Sequence, residues 1–176
     1  MCLFFRKSKY ETKIQLIFAG CGPLEKKIRK WGNKLTNKPI MNFFSRDEMV
    51  NVINYSDLYV HPAEIEIEAI SCLEAITCGL VPVIANSKKC ATKAFALTEK
   101  NLFKNKDAKD LKDKIEYWMD HPEEKEEMRN NYLNFTLEFA QEKCMERMEE
   151  MLIEVSKIKK EPIKYKKNKK RLKKGK

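Results

Sequence analysis

A strand-like run joined to a buried-helix-like run by a short acidic segment constrains the fold more than any other feature. The strand is predicted at 57–60, and the helix at 70–78, where it stops before Gly79. Glu66 lies in the junction, and Glu74 follows eight positions later in the helix. Ligands of open α/β sheets bind beyond the carboxyl ends of the parallel strands. We therefore predict a ligand site here, with both carboxylates aimed at one cleft.

The rest of the chain alternates between strand-like and helix-like segments. This order predicts an α/β fold, a Rossmann-like parallel sheet with helices on both faces. Pro122 suits the first turn of a helix, and no strong breaker follows it as far as about residue 157. The predicted strands are 14–19, 40–44, 57–60 and 81–85, and the predicted helices are 23–35, 46–54, 70–78, 107–119 and one or two amphipathic helices from 122 to 157.

The 176 residues suffice for one domain, which we place at 1–156, ahead of a basic tail at 157–176. The tail holds 12 Lys and Arg against one Glu, a net charge of +11. Like charges of this density predict disorder. Contact with an anionic membrane surface and a solubilising role without a partner both stay open. Specific nucleic-acid binding is not expected, because no nucleic-acid motif accompanies the charge.

Six cysteines at irregular spacings form no CxxC pair, and His61 and His121 are the two histidines of the chain. We expect small buried thiols in a reducing compartment, and no metal site. The apolar start of the chain is too short for a signal peptide, and no run approaches the roughly 18 apolar residues of a membrane span. The expected location is the cytoplasm, with a peripheral position at the inner face of the membrane left open.

Four motifs occur in an order that resembles the family-4 GT-B glycosyltransferases (glycosyl transferases group 1). The resemblance covers about residues 10 to 130 and concerns their C-terminal, nucleotide-sugar-binding half. The motifs are the strand from Ile14 to Ala19 with the turn Gly20-Cys21-Gly22-Pro23, the segment Asn42-Phe43-Phe44, the approach from Tyr55 to Pro62, and Glu66 with Glu74-Ala75, Cys78-Gly79 and Pro82-Val83.

The resemblance implies a site for a nucleotide-diphosphate sugar, which is a substrate, with no cofactor. Carboxylates accept hydrogen bonds from sugar hydroxyls, and amides at a helix start bind phosphate. By this resemblance Glu66 contacts the donor sugar and is the catalytic candidate, and Glu74 contacts the ribose. The amides of Ile70 and Ser71 would contact the phosphates, and Ser45 and Arg46 the base.

The chain also departs from the family pattern. The opening strand, with its phosphate-contacting Arg and Lys, is expected upstream of Met1, and Ile67 and Ala69 stand where the family has glycines. Close approach of a diphosphate to the backbone requires small residues. A solvated face formed by alternating Glu64, Glu66 and Glu68 is the structural alternative for this segment. Glu74 lies in an apolar run, where its charge is expected to need a ligand or a cation.

Two functions therefore stay open. The chain is either the donor-binding half of a retaining glycosyltransferase, or a truncated, non-catalytic remnant that binds a nucleotide sugar or a partner. In the first case a separately encoded N-terminal GT-B half is expected to bind the acceptor, and the isolated chain is expected to be inactive. The helices after Pro122 are then expected to expose an apolar strip that would meet that half. Packing in the core is the structural alternative for their apolar residues.

Overall fold

The computed structural model describes residues 5–158, which divide into one unit up to Glu138 and a second from Phe139. The elements of the first unit follow the predicted alternation. They are β1 (Ile17–Ala19), α1 (Glu25–Gly32), β2 (Ile40–Asn42), α2 (Arg46–Asn54), β3 (Leu58–His61), β4 (Ile65–Glu66), α3 (Ile70–Thr77), β5 (Val81–Asn86), β6 (Lys89–Cys90), β7 (Leu102–Lys104), α4 (Ala108–Asp120) and α5 (Pro122–Thr136). Helix α6 (Gln141–Lys157) belongs to the second unit.

All strand pairings described are parallel, which confirms the predicted α/β class. Strand β5 lies between β3 and β7, while β1 pairs with β2 and β4 pairs with β6. The sequence analysis did not find β4, β6 or β7. Each of these strands is only two or three residues long, too short to show a hydrophobic period.

The core of the first unit is built around β5, whose residues from Val81 to Ala85 are all buried. A strand covered on both faces is expected to read as a continuous apolar run, as this one does. Ile76 of α3, Trp118 of α4 and Tyr132 of α5 are fully buried in the same region. Burial of each large apolar side chain contributes about 1.5–3 kcal/mol relative to exposure, so these elements fix the position of β5.

Helices α5 and α6 bury different amounts of their apolar surface. Met128 and Tyr132 of α5 are buried, so the expected exposed strip is wrong for this helix. Helix α6 has no buried residue. Its exposed apolar side chains confirm the strip there and are Met145, Met148, Met151, Leu152, Ile153 and Val155.

The predicted basic tail at 157–176 lies outside the described residues except for Lys157 and Ile158. Within residues 5–158, none of the helices combines the length and the apolar character that crossing a membrane requires. The described cysteines are free thiols; Cys72 and Cys90 are buried as expected, whereas Cys21 and Cys144 are exposed. Burial raises the pKa of the Cys72 thiol to about 12, so this thiol stays protonated at neutral pH.

Candidate functional site

The junction that follows β3 is held in place by contacts on both sides. Strand β4 pairs in parallel with β6, which aligns Glu66 with Cys90. The Ser87 hydroxyl donates a hydrogen bond of 2.6 Å to the Glu64 carbonyl, and the Glu64 carboxylate forms an ion pair of 2.9 Å with Lys106. The segment that carries Glu66 is therefore built into the fold.

Helix α3 begins without a side-chain cap. Its N-cap residue, Ala69, is buried and has φ of 53° and ψ of 44°, in the left-handed region that favours glycine. Ala69 thus adopts a backbone conformation that is usual for glycine, and its side chain is only a small Cβ. Ile67 is 88% exposed. Within residues 5–158 the amides of Ile70 and Ser71 donate no hydrogen bond, so the helix start offers two free donors.

The half-buried carboxylate of Glu66 is turned onto its own loop. Its Oε1 accepts hydrogen bonds from the amides of Ile67 at 2.9 Å and Glu68 at 3.4 Å. Bonds from the amides of Glu68, Ile67 and Ala69 hold the pKa of Glu66 below its ordinary value. Glu66 is therefore an anion at neutral pH and is not equivalent to the exposed Glu64 and Glu68, as the solvated-face alternative would require.

Glu74 lies on the exposed side of α3, three residues after Ser71. The expectation that its charge needs a ligand or a cation is wrong, because water reaches the carboxylate and solvates it. No hydrogen bond or ion pair of the Glu74 side chain occurs in the described part of the chain. The carboxylate is therefore free to accept a hydrogen bond from a ligand.

Tyr59, which was not among the predicted site residues, connects the end of β3 to the start of α3. The Tyr59 hydroxyl lies 3.0 Å from Nδ1 of His61 and 3.0 Å from Oγ of Ser71. Burial raises the pKa of Tyr59 to about 12, and the nearby carboxylates of Glu66 and Glu74 act in the same direction. The structure brings four of the predicted residues together here, since the first turn of α3 contains Ile70 and Ser71.

The spacing of Tyr59 and His61 could have revealed the contact between these two side chains, but not the contact with Ser71. Residues two apart on a strand share one face, and these two end the strand that precedes the junction. His61 is buried and lies within hydrogen-bond distance of the Tyr59 hydroxyl.

Ser45 and Arg46, the predicted base contacts, lie at the start of α2. The Ser45 hydroxyl and amide form a capping box with Glu48, in which the Ser45 amide donates to the Glu48 carboxylate at 2.7 Å. Arg46 is exposed. In the part of the chain that the structure covers, no hydrogen bond or ion pair joins either residue to the junction at 59–74, so their role stays a prediction.

Two of the cavities in the described part of the chain lie beside strand ends. An apolar cavity of about 320 Å³ lies where β1 ends and is lined by Phe18, the turn from Gly20 to Pro23, and Met41. A more polar cavity of about 210 Å³ is lined by Asp57 and Val81, at the starts of β3 and β5. The first lies at carboxyl ends of strands, the edge at which α/β proteins bind ligands.

Comparison with known proteins agrees with the motif pattern. Residues 3–134 match the family described as glycosyl transferases group 1. No curated protein matches the chain. A matching solved structure is the crystal structure of the catalytic domain of cholesterol-alpha-glucosyltransferase from Helicobacter pylori. It is 43% identical, has a TM-score of 0.75, and the match covers 79% of this chain and 87% of that one. The chain belongs to the group 1 glycosyltransferases and has the fold of a GT-B glycosyltransferase domain.

Proposed function

We propose that this chain binds the nucleotide-diphosphate sugar of a glycosyl transfer reaction at the start of α3. The observation that carries the proposal is the pair of free amides, on Ile70 and Ser71, beside the carboxylates of Glu66 and Glu74. A helix start with free amides attracts phosphate. Carboxylates accept the hydroxyls of a sugar or a ribose.

Binding of the donor requires a rearrangement of Glu66. Its carboxylate now accepts the amides of Ile67 and Glu68, which are donors of the kind that a diphosphate oxygen uses. In the proposed complex Glu66 turns to the donor sugar and leaves these amides to the phosphate. Glu74 needs no such change, because its carboxylate is already exposed to ligand and solvent. We assign it to the ribose, and Ser45 and Arg46 to the base.

The name of the solved neighbour suggests the sugar and the acceptor to test first. That protein is a cholesterol-alpha-glucosyltransferase, and we extend a glucosyl donor and a sterol acceptor to this chain as part of the proposal. An α-linked product formed from an α-linked donor corresponds to retaining transfer. No metal is included in the proposed site, whose phosphate contacts come from backbone amides.

Transfer demands more than donor binding. Holding donor and acceptor in reacting geometry supplies roughly 7–11 kcal/mol of the barrier reduction. We propose that an N-terminal GT-B half supplies the acceptor contacts, and that residues 1–176 alone bind a donor without transferring the sugar. The alternative function is a binding protein that never acts in catalysis. Addition of the candidate half to a transfer assay separates the two, since only the first alternative gives product.

Calorimetric titration with UDP, GDP and ADP tests donor binding. We expect weak binding of one of them by the wild-type chain. Glu74→Ala should weaken it by about 1–3 kcal/mol, because a charge-assisted hydrogen bond is lost. The matched control is Glu149→Ala, which removes an exposed carboxylate of α6 and should leave the affinity unchanged.

Two outcomes would contradict the proposal. A folded sample, verified by circular dichroism, that gives no heat with any of the three nucleotides would remove the donor site. Binding that is equally strong in the wild type and in Glu74→Ala would reassign Glu74 to a role outside the site.

A further inference from the structure

Three side chains beside the proposed phosphate position form one hydrogen-bonded chain. His61 is buried at the end of β3, and its Nδ1 lies 3.0 Å from the Tyr59 hydroxyl. The same hydroxyl lies 3.0 Å from Oγ of Ser71, in the first turn of α3. The other ring nitrogen of His61, Nε2, is buried and has no hydrogen-bond partner within residues 5–158.

The unpartnered Nε2 determines where His61 carries its proton. Burial lowers the pKa of His61 despite the nearby charge of Glu66, so the ring is neutral at pH 7 and has one N–H group. A proton on Nε2 would leave a buried donor without an acceptor. Buried donors without partners are rarer than under-used acceptors. The proton therefore belongs on Nδ1, where it is donated to the Tyr59 oxygen.

This tautomer determines the donor and the acceptor in each hydrogen bond of the series His61, Tyr59 and Ser71. The Tyr59 hydroxyl has a single proton, which burial keeps in place by raising its pKa to about 12. Its oxygen accepts from His61, and Oγ of Ser71 is the other polar atom within hydrogen-bond distance in the described residues, so we assign the Tyr59 proton to that bond. The Ser71 hydroxyl is then the acceptor in its bond with Tyr59, and its own hydrogen takes no part in that bond. Ser71 is exposed at the helix start, so this hydrogen is left for a group outside.

We propose that His61 and Tyr59 are positioning residues that make the Ser71 hydroxyl a dedicated donor to a phosphate oxygen of the bound nucleotide. The proposal rests on the proposed function and adds a side-chain donor to the backbone amides that contact the phosphate there. If so, His61, Tyr59 and Ser71 contribute to the affinity for the diphosphate group and not to the affinity for the nucleoside.

The first test needs no nucleotide. Side-chain ¹⁵N NMR of the full chain at pH 7 distinguishes the two neutral tautomers of His61, with His61→Gln to assign the signals. We expect Nδ1 to be protonated and Nε2 to be bare. A proton on Nε2 would reverse the direction of the chain and overturn the proposal, whatever the nucleotide titrations show.

The second test separates positioning from a structural role. Tyr59→Phe and Ser71→Ala should each weaken the binding of the nucleoside diphosphate about 5- to 30-fold. The double variant should bind as each single variant does, because the two residues act as a unit. Binding of the parent nucleoside should not change. Tyr55→Phe, at a residue that is 93% exposed, is the matched control and should bind both ligands normally.

The outcomes also distinguish this inference from the proposed function. Normal diphosphate binding by Tyr59→Phe, additive losses in the double variant, or an equal loss of nucleoside binding would overturn the positioning role and leave the donor site intact. Absence of diphosphate binding by the folded wild type would overturn both. Should Tyr59→Phe fail to fold, Ser71→Ala, which alters only an exposed side chain, still decides whether the hydroxyl contacts phosphate.

Discussion

Two parts of this molecule use apolar residues in opposite ways. From β3 to α5 the apolar side chains pack around β5, and Ile76, Trp118 and Tyr132 have no accessible surface. Helix α6 has a comparable apolar content, yet it buries none of its residues. Met148 and Leu152 are 52% and 59% exposed.

The difference shows that apolar periodicity predicts a helix without predicting whether the helix is packed. In proteins most of the stability of a helix comes from packing of its apolar face, not from intrinsic helix propensity. The packed region draws its stability from buried area, which contributes roughly 25 cal/mol per Å². Three measurements use matched sites in the two regions to test this contrast.

Hydrogen exchange should give the largest difference. We expect backbone amides of β5 to exchange at least about 10³-fold more slowly than those of α6, because exchange in β5 requires opening of the core. Helix α4 is the control, since it is also a helix but buries Leu111, Ile115 and Trp118. Its amides should be protected like those of β5. Equal protection of α4 and α6 would show that α6 is stabilised by packing, and the contrast would fail.

The same substitution in both regions should give the next largest effect. Ile76→Ala removes a fully buried side chain and should lower the free energy of unfolding by about 2–5 kcal/mol. Ile153 is 47% exposed, so Ile153→Ala should change it by less than about 0.5 kcal/mol. Urea denaturation followed by circular dichroism measures both. Similar losses for the two variants would mean that Ile153 contributes to a packed interface.

The same distinction explains which elements the sequence could predict. The α/β class and the helix at 46–54 were predicted because each has a strong local signal, and α2 spans Arg46–Asn54 as expected. The paired strands β4 and β6 were not predicted, because they pair residues that are 24 positions apart in the sequence, such as Glu66 and Cys90. Whether α5 is buried was left open for the same reason: a local pattern does not specify the packing partner.

The candidate site divides similarly. Glu66, Glu74 and the helix start could be placed from motif spacing alone. The exposure of Glu74 could not be predicted from the motif, and this exposure removes any need for a compensating cation. Tyr59 was missed because its role arises only when the end of β3 meets the first turn of α3 and brings its hydroxyl to Ser71. Conversely, the left-handed backbone of Ala69 shows that the absence of glycine does not remove a glycine-like turn.

The smallest expected effect concerns hydrogen bonds instead of apolar area. The buried Tyr132 hydroxyl accepts from the Leu97 amide at 3.2 Å and donates to the Phe95 carbonyl at 3.0 Å. Burial raises the pKa of Tyr132, so the hydroxyl keeps its proton and can fill both roles. Tyr132→Phe removes both bonds and leaves the Leu97 amide without this acceptor. We expect a loss of about 1–3 kcal/mol of unfolding free energy.

The counterpart in α6 is Ser156, whose hydroxyl donates to the Ile153 carbonyl at 2.7 Å in an exposed position. In Ser156→Ala water replaces the lost bond, and alanine favours the helix, so the unfolding free energy should change by less than about 0.5 kcal/mol. Denaturation midpoints and slopes of both variants decide the matter. If Ser156→Ala costs as much as Tyr132→Phe, hydrogen bonds in α6 are shielded from water, and the exposed character of that helix would have to be abandoned.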